Sequence, residues 1–163
     1  MAKNKEEKTN VMRVLEQKKI AYTPHSYPHE EGVAVDGVTV AQSMGFDPAI
    51  VFKTLVARGA SKQYYVFDVP VAENLDLKKA AKAVGEKSIE MIHQKELLPL
   101  TGYVHGGCSP VGMKKLFPTV FHSSAENLAA MIVSAGKIGY QVELSPRDLA
   151  VLVRAKFADI IVE

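Results

Sequence analysis

The chain has 163 residues, and twenty Lys and Arg against eighteen Asp and Glu leave a formal charge of +2. That length suits one domain, and a charge so near balance argues against a dedicated duplex nucleic-acid binder, which carries a strong basic excess. The single cysteine, Cys108, excludes an intramolecular disulfide framework and any multi-cysteine metal site, and no apolar run approaches the roughly 18–20 residues of a bilayer span.

The first residues, MAKNKEEK, are charged and lead into no apolar signal core. They read as a flexible start (1–8) ahead of a single domain (9–163) of a cytoplasmic protein. Thr9 caps a predicted helix over about 10–19, with Val11, Val14 and Leu15 on one face. An extended piece over about 20–27 and a polar loop over 29–37 follow. Thr39 and Gln42 form a T-x-x-Q capping box for a short helix that Gly45 ends. Strands are predicted over 51–58 and 64–69, joined by a five-residue hairpin loop.

Asp76 caps a helix whose Leu77, Ala80, Ala81 and Val84 fall at i, i+3, i+4 and i+7, with Gly85 stopping it and Lys78, Lys79 and Lys82 on the other face. A short strand over 88–92 and a helical turn over 94–98 come next. Strands over 102–105, 119–123, 130–134 and 140–144 lead to a last helix with Ser145 as N-cap, Pro146 at N1 and Asp148 at N3. Hairpins mixed with isolated helices predict an α+β fold: a mostly antiparallel, barrel-like mixed sheet with helices packed outside.

Lys53 is the most informative residue. Period-2 alternation places it with Val51 and Leu55, while Phe52, Thr54 and Val56 take the other face. Both faces are largely apolar, as in a strand buried on both sides. A lysine there is either an edge gatekeeper or points into a polar cleft, where its ammonium can hold a phosphate, a carboxylate or a developing oxyanion.

The run Gly106-Gly107-Cys108-Ser109-Pro110-Val111-Gly112 is the second feature. Its three glycines permit close approach of a ligand to the backbone, and successive N–H groups in such a loop can form an anion nest. Ser134-Ala135-Gly136-Lys137-Ile138-Gly139 is not a Walker A loop, since Met131 replaces its first glycine and Ile138 its Ser/Thr. It reads as a hairpin turn or as a second ligand loop.

Cys108 lacks any motif tying it to His105 or His122 as a base. His25 and His29 are four apart, but Pro24 and Pro28 break the helix that would align them, so neither a metal site nor a cofactor is expected. Tyr27, in a Pro-flanked loop, is the best candidate for stacking on a base.

In order, V-F-K-T-L-V, L-D-L-K-K-A-A-K-A-V-G, G-Y-V-H-G-G-C-S-P-V-G-M-K-K, I-V-S-A-G-K and D-L-A…A-K-F-A-D-I resemble the YbaK/EbsC type of the prolyl-tRNA-synthetase editing-domain superfamily. The resemblance runs from about Val11 to Ile160. It implies a mixed α/β fold around a barrel-like sheet and a free-standing editing factor that clears cysteine from tRNA(Pro). The implied partners are the acceptor end of aminoacyl-tRNA and prolyl-tRNA synthetase. The family's lysine matches Lys53, and its glycine loop matches Gly106, Gly107, Ser109, Pro110 and Gly112. Its small hydroxyl residue matches Ser134, beside Gly136, and its pocket tyrosine matches Tyr27. Two positions depart: Asp36 stands where the family has phenylalanine, and Gln141 where it has aspartate.

The implied chemistry is an oxyanion hole from the backbone N–H groups of Gly106, Gly107 and Cys108, with Lys53 neutralising charge. Either water or the substrate's own thiol attacks. A non-catalytic module that binds tRNA ends or a nucleotide is the alternative.

Overall fold

The computed structural model describes residues 8–163; the expected flexible start lies almost wholly outside them. The first helix, α1 (Asn10–Gln17), begins where expected, with the Thr9 hydroxyl accepting from the Met12 amide at 3.3 Å. Its apolar stripe drives Val11 and Leu15 to complete burial. Strand β1 (Tyr22–Ser26) is the ordered part of the predicted extended segment.

Helix α2 (Gly37–Met44) corrects the expected capping box. Its N-cap is Asp36, whose Oδ2 accepts from the Thr39 amide at 3.2 Å, so Thr39 lies inside the first turn. A carboxylate with extended backbone dihedrals, three residues ahead of that amide, takes the orphan N–H before Thr39 can act as a cap.

Strands β2 (Phe52–Gly59) and β3 (Tyr64–Pro70) form the predicted antiparallel hairpin. Helix α3 (Leu77–Val84) starts on Asp76, whose Oδ1 accepts from the amides of Lys78 and Lys79 at 2.9 and 3.0 Å. Ala80 and Ala81 are its buried stripe, while Leu77 remains 42% exposed. Short strand β4 (Ile89–Met91) precedes α4 (Gln94–Thr101), which runs three residues past the helical turn expected at 94–98. The remaining elements are β5 (Thr119–His122), β6 (Met131–Ser134), β7 (Tyr140–Leu144), α5 (Pro146–Val153) and β8 (Ala155–Ala158).

Two sheets result. One has the order β4-β2-β3-β5-β8 and the other β1-β7-β6. They meet at a single parallel bridge between Val51 and Ile132 and are not closed into a barrel. The class is the expected α+β one; the pairings β3–β5 and β5–β8 are parallel and the others antiparallel.

The expected strand over 102–105 is absent. Gly102 is the left-handed C-cap of α4 (φ +89°), and Tyr103 turns inward so that its hydroxyl donates to the Val111 carbonyl. Strand β8 was not foreseen; it follows α5 through one residue, Arg154, in the left-handed region (φ +59°).

The main core lies between the two sheets and α1 and α5, around Leu15, Phe121, Met131 and Leu149, all fully buried. A second cluster holds α3 on the larger sheet through Phe67, Val69, Ala80 and Ile160.

Candidate functional site

The first half of β2 has β3 on one side only, because β4 pairs just with Ala57–Gly59. A cavity of about 370 Å³ opens beside that unpaired half. Phe52, Lys53, Thr54 and Leu55 all line it. Residues of both parities along this half of β2 line it. Val51 and Leu55, the residues expected on the face of Lys53, line the same cavity.

The opposite walls come from four places. The end of β1 supplies Tyr27, the approach to α2 supplies Asp36 and Gly37, the glycine loop supplies Gly106 and Cys108, and the second sheet supplies Ser134 and Gln141. Eight residues singled out in the sequence thus converge on one space: Tyr27, Asp36, Lys53, His105, Gly106, Cys108, Ser134 and Gln141.

The others stand behind it. Gly107 packs flat on the second loop, where a Cβ would lie 3.1 Å from the Ile138 nitrogen. Ser109 is fully buried and its Oγ accepts from the Val111 amide at 3.2 Å, a turn-closing bond. Pro110 is buried beside it. At Gly112 (φ +80°) a Cβ would approach the Tyr103 hydroxyl to 2.9 Å, and at Gly136 (φ +92°) it would meet Val11 at 2.9 Å. Neither glycine lines the cavity.

Lys53 donates no hydrogen bond and makes no ion pair among the described residues. Burial pushes its pKa down, and the charges of Asp36 and Glu73 oppose that shift. Asp36 therefore has two duties, capping α2 and facing the ammonium across the cavity.

The glycine loop offers N–H groups selectively. The Gly107 amide is already donated to the Val104 carbonyl at 2.9 Å, which closes the turn and removes Gly107 from the expected set of three donors. The amides of Gly106 and Cys108 have no acceptor among the described residues. Burial, with the nearby charge of Asp68, pushes the Cys108 thiol up to about 12, so it is a thiol and not a thiolate at neutral pH.

Ser134 Oγ accepts from the Gly136 amide at 3.1 Å, leaving its O–H to point elsewhere. Tyr27 is 5% exposed; burial raises its pKa, partly offset by the Gly139 backbone. Gln141 is 6% exposed, and its Oε1 is buried without a hydrogen-bond partner.

Two contributors escaped the sequence reading. Thr54 lines the cavity, and its hydroxyl donates to Asp68 Oδ1 at 2.5 Å. Asp68 is fully buried, its Oδ2 has no partner, and burial raises its pKa to about 7 against the pull of the Thr54 bond. The signal that could have found it is an acidic residue inside the apolar run Val66-Phe67-Asp68-Val69. No group of three or more His, Cys, Asp or Glu that could hold a metal occurs among the described residues.

Residues 32–152 match the sequence profile of the aminoacyl-tRNA editing domain. The chain is 45% identical over 161 residues, 98% of either chain, to an Enterococcus faecalis protein named "Putative Cys-tRNA(Pro)/Cys-tRNA(Cys) deacylase EbsC". Among solved structures it superposes on one described as "a putative trans-editing enzyme for prolyl tRNA synthetase", with a TM-score of 0.79 at 24% identity, covering 94% of this chain and 95% of that one. A hypothetical protein gives a TM-score of 0.82 at 20% identity, over 93% and 99% of the two chains. At those identities the structural likenesses establish the fold.

Proposed function

The chain belongs to the aminoacyl-tRNA editing-domain family, and from that premise we propose that it is a free-standing deacylase that removes mischarged cysteine from tRNA(Pro). The observation that carries the reading is an unpaired, partly desolvated ammonium, Lys53, sharing a cavity with two free backbone N–H groups, those of Gly106 and Cys108.

An aminoacyl ester is already an activated carbonyl, so placement and charge stabilisation suffice. The cavity takes the 3′-terminal adenosine and its acyl group. The amides of Gly106 and Cys108 point at the carbonyl oxygen as negative charge develops on it. Lys53 neutralises the adjacent phosphate or the oxyanion; burial raises the free energy of its charged form, and an arriving anion relieves that cost. Tyr27 and Ser134 contact the nucleoside and Gln141 the amino-acid moiety.

For a cysteinyl substrate its own sulfur attacks the carbonyl carbon. A C–S bond forms, the ester C–O bond breaks, and the ribose oxygen takes up a proton. A held water doing the same yields free cysteine. The Cys108 thiol, with its pKa near 12, supplies only its backbone N–H.

We take the functional unit as residues 9–163, wider than the matched 32–152, because Val11 and Leu15 of α1 and Phe157 of β8 pack into the same core as Phe121 and Leu149. A cavity of this size leaves little surface for choosing a tRNA, so recruitment by prolyl-tRNA synthetase in the cytoplasm completes the proposal.

The test is a deacylation panel on radiolabelled Cys-, Pro- and Ala-tRNA(Pro), with and without the synthetase. Selective loss of the cysteinyl ester is expected. Protection of the ester instead would identify a binding module that does not turn over. An S-methylcysteinyl ester that survives, while the cysteinyl ester does not, would assign the attack to the substrate sulfur.

A further inference from the structure

His29 is exposed, yet its ring is fixed on every inward side. Its Nδ1 donates to the Tyr27 carbonyl at 3.0 Å, the only role open to it since a carbonyl can only accept. The ring meets Tyr27 edge-on at 6.1 Å between centroids and Tyr140 at 5.7 Å. It also lies against bare backbone: a Cβ at Gly139 would come within 2.2 Å of it. An exposed histidine ordinarily keeps its rotamer freedom, and locking one costs side-chain entropy. Here a ring is held rigid with one surface left to solvent.

Its position gives that surface a use. Tyr27 is a wall of the cavity, the exposed His29 meets it from outside, and the half-buried Tyr140 flanks His29, so aromatic contacts run from the cavity to the surface. At its outer end the exposed Lys137 places its ammonium 5.7 Å from the Tyr140 ring centre. The backbone of Lys137 packs on Gly107, which fixes this rim to the glycine loop.

We propose that His29, braced by Tyr27 and Tyr140 and flanked by Lys137, is a stacking platform for the unpaired nucleotide that precedes the terminal adenosine of a single-stranded RNA 3′ end. The inference rests on the deacylase reading for the identity of the strand. The cavity, at about 370 Å³, has room for one nucleoside with a small acyl group, so the preceding nucleotide must cross the rim. Single strands are held by bases stacked on flat side chains and by cations meeting the phosphates. Tyr27 itself, almost fully buried, keeps its edge for the terminal nucleoside.

The experiment needs no turnover, so it stands apart from the deacylase reading. Binding of adenosine 5′-monophosphate, which probes the cavity alone, is compared with binding of the trinucleotide CCA by the full chain. The wild type is expected to bind CCA about tenfold more tightly than the mononucleotide, within the range that one stacked base supplies. His29→Ala should abolish that advantage and change mononucleotide binding less than about twofold, and His29→Phe should restore it. Three results overturn the platform: no CCA advantage in the wild type, an unchanged advantage in His29→Ala, or equal weakening of both ligands in that variant. The last would show that the ring only shapes the loop.

Discussion

Lys53 on the free edge of β2 and Lys79 on α3 are the same side chain in two regions with opposite surroundings. Lys79 donates to Asp159 at 3.0 Å, to the Ile161 carbonyl at 2.9 Å and to Glu163 at 3.3 Å, and its hydrogen-bonded carboxylates raise its pKa. It ties the chain's last residues to a helix, which sets it apart from Lys78 and Lys82 on the same helix. Lys53 has no such partners and is pushed the other way by burial. An ammonium whose donors are all used can only hold structure together. One partly buried and unpaired costs stability and leaves its charge for a ligand.

A third ionisable group sharpens the contrast. Asp68 sits across the hairpin from Thr54, one position along β2 from Lys53, and has a single short hydrogen bond in place of a counter-charge. It relieves its burial by holding a proton up to about pH 7, which a lysine in the same position could not do by gaining one.

The contrast breaks most readily at Lys53. Lys53→Ala is expected to lower the deacylation rate by about 100- to 1,000-fold, the loss typical of one charge-stabilising group. It should leave the melting temperature unchanged or raise it, since a desolvated charge is removed. A melting temperature that collapses along with activity would make Lys53 a structural residue like Lys79.

Asp68 comes next. Its folded-state pKa, about 7, lies above the ordinary 3.8, so the folded chain holds a proton that the unfolded chain has released between those values. Stability must therefore fall as pH rises from about 4 to about 7 and level off above. The fall between pH 5 and pH 7 should be about 2–3 kcal/mol. Asp68→Asn, which cannot ionise, should flatten this dependence in urea denaturation. A wild-type profile that is flat, or that rises with pH, would contradict the buried proton.

Cys108→Ala should keep deacylation within about threefold of wild type, because the loop amide and not the thiol is used. Complete inactivation would instead argue for a sulfur nucleophile. Alkylation of the native thiol at pH 8 should be slow, its pKa of about 12 leaving almost no thiolate.

The smallest effect belongs to Lys79→Ala. Its partners Asp159 and Glu163 are exposed, so a melting-temperature change of at most a few degrees is expected, reduced further by salt, with deacylation untouched. Lost activity in that variant would mean that the two lysines do not divide structure from function as drawn.

Local chemistry made much of the fold legible. Thr9, Asp76 and Ser145 cap helices as their side chains demand, and Gly45 and Gly85 take the left-handed C-cap that only glycine adopts freely. The elements that were misread have weaker local signals. Ala155–Ala158 carries a lysine and becomes a strand where β5 offers an edge, and Gly102–His105 resembles a strand in composition but pairs with none. Asp36 displaced Thr39 as cap because two competent caps stood within one turn.

For the site, the sequence by itself determined which residue types were available: a lysine in an apolar strand, a glycine-rich loop and one small-residue turn. Those depend on residue identity and near-neighbour spacing, which are local properties. Only the tertiary structure decided that the three share one cavity and that Gly107 spends its amide on a turn while Gly106 and Cys108 keep theirs. It alone also decided that Asp68 is sealed behind Thr54. Burial and desolvation are set by what packs from far along the chain, and no window of sequence around a charged residue contains that information.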